Sequence, residues 1–205
     1  METLLTIAIP TIEQRKACFN ELYNEFKKQS EPFGNQIEII YLCDNGDITR
    51  GAKRQKLMNM AHGKYIVQWD DDDWIHPNGI DMIMEGIKSD ADVISYNYSC
   101  DVPLTNYTSF PRHISINNSG RVDYENKILY TLPDCKNPIK KEIIEKVMFN
   151  DIHFGEDFHF KMDLASNKFL KTEYKINEYI YQIMNRSNEP FIHDIRHNLL
   201  RKRLI

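Results

Sequence analysis

The chain has 205 residues, a length typical of one domain with a substantial buried core. Hydrophobic residues make up 41% of it and charged residues 27%, with 8 glycines and 8 prolines, so collagen-like, low-complexity and disordered proteins are excluded. Lysine and arginine number 26 against 30 aspartates and glutamates, which gives a net charge of -4. This charge offers no overall attraction to nucleic acid or to an anionic membrane, so such a partner would need a local basic patch.

The sequence carries no signal for export or membrane insertion. Its longest apolar runs, such as 4–10 and 37–43, have about seven residues, far short of the roughly 20 that cross a bilayer. The N-terminus lacks the basic region that precedes the apolar part of a secretory signal. We therefore expect a cytoplasmic protein without a transmembrane segment. The 4 cysteines form no C-x-x-C pair, which argues against a zinc knuckle or a redox motif.

The first hundred residues alternate between strand and helix patterns. Short apolar, β-branched runs end in turn-forming residues, as strands buried in a parallel sheet do. The first helical segment follows a capping-box pattern, with Thr11 three residues before Gln14. The patterns predict strands at 4–9, 37–43, 65–69 and 92–98 and helices at 12–29, 51–62 and 78–89. Strand, helix and strand in this order form right-handed parallel units, so an α/β fold is expected.

The second half of the chain is less regular. Residues 101–134 mix prolines, asparagines and aromatics, and no element is predicted there. A helix is predicted at 138–148, with a proline near its start, and another begins at Gly155. Residues 191–205 predict an amphipathic helix with the basic residues Arg196, Arg201, Lys202 and Arg203. Because no repeat or linker divides the chain, residues 1–205 are interpreted as a single domain.

Four consecutive aspartates, Asp70 to Asp73, follow the third predicted strand. Like charges a few ångströms apart repel by about 1 kcal/mol per pair even in water, so something must offset the repulsion. On an extended backbone Asp70 and Asp72 would point to one side, and such a pair can share a cation. Oxygen ligands suit Mg2+ or Mn2+, which take one or two carboxylates together with phosphate and water. The alternative is a solvated acidic turn, although open parallel sheets bind ligands beyond the carboxyl ends of their strands.

Further motifs occur in a fixed order around this cluster. They are Pro10-Thr11, Asp44, the stretch GAKRQKLMNMAHGKYIVQWDDDDWIHP at 51–77 and Gly155-Glu156-Asp157. Together they resemble the motifs of the family 2 glycosyltransferases, over roughly residues 4–185. The resemblance implies the GT-A fold, a Rossmann-like, mostly parallel central sheet flanked by helices. It also implies a nucleotide-sugar-binding half at 1–100, an acceptor and catalytic half at 101–190 and a C-terminal basic helix at 191–205.

The resemblance implies roles for the motif residues. Asp70 would lie near the donor ribose, and Asp72 would bind the Mn2+ or Mg2+ ion that holds the diphosphate, with Asp70 and His193 as further candidate ligands. The candidate nucleotide-sugar-binding residues are Pro10, Thr11, Asp44, Lys53, Arg54, Asp70 and Asp71. Cations early in the second predicted helix would neutralise phosphate.

The position of Asp44 suggests which nucleotide is bound. A carboxylate only accepts hydrogen bonds, so Asp44 would favour a base edge that presents N–H, such as uracil, and UDP-sugars are the expected donors. Two structural alternatives stay open, since Asp44 can be part of a simple turn and Thr11 a simple helix cap.

The resemblance also implies catalytic residues. Inverting transfer from a nucleotide-sugar needs a carboxylate that takes the proton of the attacking hydroxyl. Asp157 is the predicted base, and Glu156 is predicted to position or bind the acceptor. The alternative for both is a structural role, because acidic residues in a first helical turn are favoured by the helix dipole.

The sequence therefore predicts a metal-dependent inverting glycosyltransferase that acts on a hydroxyl acceptor, with a saccharide as the first expectation. A hydroxymethylated DNA base is an alternative acceptor, and the basic tail at 191–205 could contact its backbone or the surface of a membrane. A sugar nucleotidyltransferase is disfavoured because no glycine-rich loop follows the first strand. A non-catalytic saccharide-binding protein is disfavoured because the acidic motifs are intact.

Overall fold

The computed structural model describes residues 2–101 and 107–184, which form one mixed α/β domain. Its strands are β1 (Leu5–Ile12), β2 (Ile37–Asp44), β3 (Tyr65–Gln68), β4 (Trp74–Ile75), β5 (Val93–Cys100), β6 (Arg112–Ile114), β7 (Val122–Asp123), β8 (Ile128–Thr131), β9 (Ile139–Lys140) and β10 (Glu173–Ile183). Its helices are α1 (Lys16–Ser30), α2 (Arg50–Met60), α3 (Gly79–Ile87), α4 (Lys141–Ile144) and α5 (Glu156–Ser166). The predicted basic helix at 191–205 and the candidate ligand His193 lie outside the described residues.

The strands join in one sheet that contains both parallel and antiparallel pairs. β1 lies between β2 and β3 and is parallel to both, with Leu5 opposite Ile37 on one side and Tyr65 on the other. β9 is inserted antiparallel between β3 and β5, and β10 runs parallel to β5. The carboxyl ends of β1, β2 and β3 therefore meet at one edge of the sheet, where open α/β sheets bind ligands.

Helices cover both faces of this sheet. Alternate residues of β3 point to opposite faces, so Tyr65 joins the core beneath α1 and α3, whereas Ile66 joins the core beneath α2, α4 and α5. Phe26 and Phe160 are fully buried examples on the two sides. Burial on both faces explains why the strands appear in the sequence as continuous apolar runs.

Every strand and helix predicted in the first hundred residues is present. Two other predictions are wrong: the helix cap at Thr11 and the extent of the helix at 138–148. The capping-box role of Thr11 fails because Thr11 lies within β1, and α1 begins only at Lys16 after a 3-10 turn at Glu13–Arg15. The helix predicted at 138–148 is restricted to Lys141–Ile144. Ile139 instead pairs with Ile66 and Val93, and these sheet contacts on both sides outweigh local helix propensity.

Among the described residues, none of the helices has both the length and the apolar character needed to traverse a bilayer.

Candidate active site

The acidic cluster forms a tight turn at the carboxyl end of β3. The N–H of Asp73 donates to the carbonyl oxygen of Asp70 at 3.2 Å, which closes the turn. The predicted alternation of an extended backbone is therefore wrong. Asp71 and Asp72 share one partner, Arg15, whereas Asp70 and Asp73 share another, Tyr181.

Arg15 brings a positive charge to Asp71 and Asp72, the two central residues of the turn. Its Nη1 atom lies 2.7 Å from Asp71 Oδ1 and 3.3 Å from Asp72 Oδ2. Asp71 also accepts a hydrogen bond from the Thr11 hydroxyl at 2.7 Å. Burial raises the pKa of Asp71 even so, because these partners do not fully offset its loss of water.

Tyr181 of β10 contacts Asp70 and Asp73, the first and last residues of the turn. Its hydroxyl donates to Asp73 Oδ2 at 2.5 Å and lies 3.3 Å from Asp70 Oδ2. Burial, together with the charges of Asp70 and Asp72, raises the pKa of Asp73 to about 7. The turn therefore carries fewer than four negative charges near neutral pH, which reduces its internal repulsion.

Arg54 of α2 is fully buried beneath the turn and connects three elements. Its guanidinium donates to Asp70, to Gln68 Oε1 at 3.2 Å and to Glu156 Oε1 at 3.1 Å. The sequence places Arg54 among the candidate donor-binding residues, and in the structure its side chain is completely buried. Its contacts fix the acidic turn after β3 relative to α5.

Glu156 and Asp157 begin α5 in different environments. Glu156 is completely buried against Arg54, and its Oε2 atom has no hydrogen-bond partner among the described residues. Asp157 is partly exposed, and its Oδ2 atom lies 2.8 Å from Nζ of Lys136. The Lys136 charge is the largest influence on Asp157 and holds the pKa of this carboxyl well below its usual range, although burial opposes the shift.

Lys136 is a second buried cation of the site. Besides Asp157, its Nζ atom lies 3.7 Å from Asp70 Oδ2. Burial alone would lower the pKa of Lys136, but the charges of Asp157 and Asp70 raise it well above its usual value. Lys136 thus stays charged and connects the acidic turn to the first turn of α5.

Lys53 ties together the ends of β1 and β2. Its Nζ atom donates to the carbonyl oxygen of Thr11 at 2.6 Å and to Oδ1 of Asp44. The other carboxylate oxygen of Asp44 accepts the N–H of Ile48 at 2.7 Å. Burial raises the pKa of Asp44, but these hydrogen bonds outweigh it, and the net shift is downward. Asp44 is therefore ionised at neutral pH.

A cavity of about 170 Å³ opens above these residues. The predicted binding residues that line it are Pro10, Thr11, Lys53, Asp70 and Asp71. The cavity is also lined by Arg50 and by Phe154, whose ring centre lies 5.5 Å from the Arg50 guanidinium carbon. The structure therefore brings five of the seven predicted donor-binding residues to one cavity.

The cluster has the right donor atoms for Mg2+ or Mn2+ but is not a preformed metal centre. Within residues 2–101 and 107–184, no three histidine, cysteine, aspartate or glutamate side chains are grouped as metal ligands. Asp70 and Asp72 already contact Arg54 and Arg15. Because these ions take one or two protein carboxylates when phosphate and water complete the shell, the two aspartates fit an ion that binds together with a diphosphate.

Three residues of the site were not predicted from the sequence: Arg15, Lys136 and Tyr181. Arg15 lies four residues after Thr11, so its proximity to the end of β1 could have been inferred. Lys136 and Tyr181 lie in segments without a motif, and only the fold brings them to the acidic turn.

No protein-family model matches the chain, and no curated protein matches it significantly. Solved structures do. Residues 1–349 of Staphylococcus aureus TarS match with a TM-score of 0.62 and 15% identity, over 89% of this chain and 60% of that one. The same protein in complex with UDP-GlcNAc matches with a TM-score of 0.61 and 16% identity, over 91% and 60%.

A second protein has the same architecture. The mannosyltransferase PcManGT from Pyrobaculum calidifontis, in complex with GDP-Man and Mn2+, matches with a TM-score of 0.53 and 10% identity, over 96% of this chain and 60% of that one. The chain has the GT-A fold. The predicted fold class is thus confirmed, whereas the assignment to family 2 stays a prediction. The chain spans 60% of the length of these structures, and at such identities the likeness establishes the fold alone.

Proposed function

We propose that the protein is an inverting glycosyltransferase of the family 2 type, with a UDP-sugar as donor and a saccharide hydroxyl as acceptor. The observation that carries the proposal is the meeting of the acidic turn, Thr11, Asp44 and Asp157 at the carboxyl edge of a GT-A sheet. Support also comes from the structural neighbours, since TarS was solved with UDP-GlcNAc and PcManGT with GDP-Man.

In this proposal the donor lies across the ends of β1, β2 and β3. Asp44 accepts a hydrogen bond from the base, and its ionised state in the structure suits that role. The cavity of about 170 Å³ is smaller than the roughly 300–1,000 Å³ of typical ligand pockets, so only part of a nucleotide-sugar occupies it.

Asp70 and Asp72 would hold a divalent ion together with the diphosphate. Such an ion stabilises the negative charge that develops on the leaving diphosphate. Arg15 is one-third exposed at the same place and contacts the turn without being buried in it. Its guanidinium can therefore transfer from the aspartates to a phosphate oxygen, a partner that it binds equally well.

Asp157 is the proposed base. Its side chain is partly exposed, so an acceptor hydroxyl can reach it, and the Lys136 charge keeps it ionised and able to accept a hydrogen bond. The same charge lowers its basicity, so the proton is taken late, as the hydroxyl oxygen bonds to the anomeric carbon. The buried Glu156 acts through Arg54 as a positioning residue in place of the acceptor contact expected from the sequence.

The test is UDP release and sugar transfer with UDP-sugars and Mn2+, coupled to a thermal-shift measurement of donor binding. We expect Asp72→Ala to lose metal-dependent donor turnover and Asp157→Asn to bind donor but to lose transfer. Asp163→Asn is the matched control, because Asp163 is an exposed aspartate on the same helix as Asp157. Normal transfer by either active-site variant would contradict the assigned roles.

A further inference from the structure

A second and larger cavity, of about 430 Å³, lies beside α5 and away from the acidic turn. Its apolar walls come from α5 and from the segments that follow β6 and β8, with Leu132, Pro133 and Leu164 among them. The volume falls within the range of about 300–1,000 Å³ that is usual for small-molecule sites. The cavity is therefore large enough for a ligand of saccharide size.

Three lysines line this cavity: Lys161, Lys168 and Lys171. Lys161 donates a hydrogen bond to Thr131 Oγ1 at 3.3 Å. Within the described ranges, none of the three lysines forms an ion pair with a carboxylate, and none of the residues lining the cavity is acidic. Cations gathered around an apolar cavity without acidic partners favour an anionic ligand with a less polar body.

Two elements of the fold contribute residues both to this cavity and to the candidate active site. On α5, Lys161 and Leu164 follow Asp157 at spacings of 4 and 7 residues, so they occupy one face of the helix, and Lys168 lies two residues beyond the end of the helix. At 1.5 Å per residue, this face extends roughly 10 Å from Asp157 to Leu164. The segment after β8 places Pro133 in the cavity and Lys136 against Asp157. A chain molecule lying along α5 would reach both sites.

We propose that this cavity, here called the lysine cavity, binds a phosphate or carboxylate group of the acceptor saccharide, so that the substrate class is an anionic glycan. The identification of the ligand as the acceptor rests on the proposed function, whereas the anion selectivity of the cavity does not depend on it. The donor and the anionic group occupy different sites and bind at the same time.

The test is an NMR titration of the full chain with three hexoses that differ only at carbon 6: glucose 6-phosphate, glucuronate and glucose. Each titration is run in the presence of Mg2+, with and without saturating UDP. The variant is Lys168→Gly combined with Lys171→Gln. Lys168 has a φ of 51°, where glycine is favoured, so the first change removes the charge without harming the fold. Lys88→Gln, at the end of α3, is the matched control for loss of a surface lysine.

We expect glucose 6-phosphate and glucuronate, but not glucose, to shift the signals of Lys161 and Leu164. Because charge-assisted hydrogen bonds are lost, the double variant should bind both anions at least roughly tenfold more weakly, while Lys88→Gln should bind them normally. Binding of all three hexoses with one affinity, or unchanged binding by the double variant, would overturn the proposed selectivity.

The arm with UDP separates this inference from the proposed function. Unchanged anion affinity in the presence of UDP supports two separate sites, whereas displacement of the hexose phosphate by UDP would show that it occupied the donor cavity and would overturn the inference. If UDP itself shifts no signals around Thr11 and Asp44, the proposed function fails while the result for the lysine cavity still stands.

Discussion

Nζ of Lys136 lies 2.8 Å from Oδ2 of Asp157, and this ion pair joins the segment before β9 to the first turn of α5. The lysine is buried and the aspartate is partly exposed. The pair therefore combines two roles, because it fixes the position of the proposed base and lowers the base's affinity for a proton.

Replacing Lys136 by methionine should raise the pKa of Asp157 toward that of an ordinary aspartate, as measured by carbon-13 NMR of the carboxyl group. Since the pKa of Asp157 is lower in the folded than in the unfolded chain, the pair stabilises the fold above about pH 4, and this contribution is lost as the pH falls. The free energy of unfolding of the variant should be about 1–3 kcal/mol lower than that of the unmodified protein at pH 7. It should also decrease less as the pH falls below about 4. An unchanged carboxyl titration would contradict this account.

Removal of Arg54 should strongly destabilise the protein. Arg54→Met removes the nearest cation from the buried carboxylates of Asp70 and Glu156, and breaking comparable buried pairs costs about 3–5 kcal/mol. Urea unfolding provides the measurement. Adding Glu156→Gln to this variant should recover part of the loss, because one buried negative charge is then removed as well. An unchanged unfolding midpoint for Arg54→Met would rule out the connecting role of this arginine.

Gly51 permits the close approach of α2 to the loop before α5. A Cβ atom at position 51 would lie 1.7 Å from the carbonyl oxygen of Asn150. The Gly51 N–H donates a hydrogen bond to the carbonyl oxygen of Ile152 at 3.0 Å. Gly51→Ala should therefore displace this loop and cost roughly 2 kcal/mol or more in the free energy of unfolding. Lys56→Ala, at an exposed position of the same helix, should be nearly neutral. Equal stability of the two variants would be inconsistent with the packing.

Lys168 lies two residues after the end of α5 in a left-handed conformation, with a φ of 51°. The N–H of Phe169 returns to the carbonyl oxygen of Leu164 at 3.2 Å, as in a helix end that usually carries glycine. Lys168→Gly should stabilise the protein by about 0.5–1 kcal/mol. The same change at Lys161, inside the helix, should instead destabilise it by about 1 kcal/mol. Thermal or urea unfolding measures the stability of both variants. A destabilised Lys168→Gly variant would contradict the preference for glycine at this position.

The parts of this structure that follow local rules could be predicted from the sequence. Apolar runs that end in polar residues located β1, β2 and β3, and the meeting of their carboxyl ends follows from parallel topology. The sequence therefore predicts that Thr11, Asp44 and the acidic turn lie at one edge of the sheet.

The remaining features depend on contacts between distant segments. Ile139 is drawn into the sheet by neighbours on both sides, which no local pattern shows. The partners of the aspartates depend on the turn at 70–73, whereas an extended backbone was assumed. Arg54 looks like an exposed helix cation in the sequence, and only the packing of α5 above it buries its guanidinium.

The hydrogen bond of Tyr181 to Asp73 has a consequence for biosynthesis, because 108 positions separate the two residues. At about 5–20 residues per second, the ribosome adds the tyrosine roughly 5 to 20 s after the aspartate. Until then the nascent polypeptide has neither this hydroxyl nor the complete strand β10, which pairs with β5. The edge of the sheet that carries the acidic turn therefore cannot be completed before β10 has left the exit tunnel.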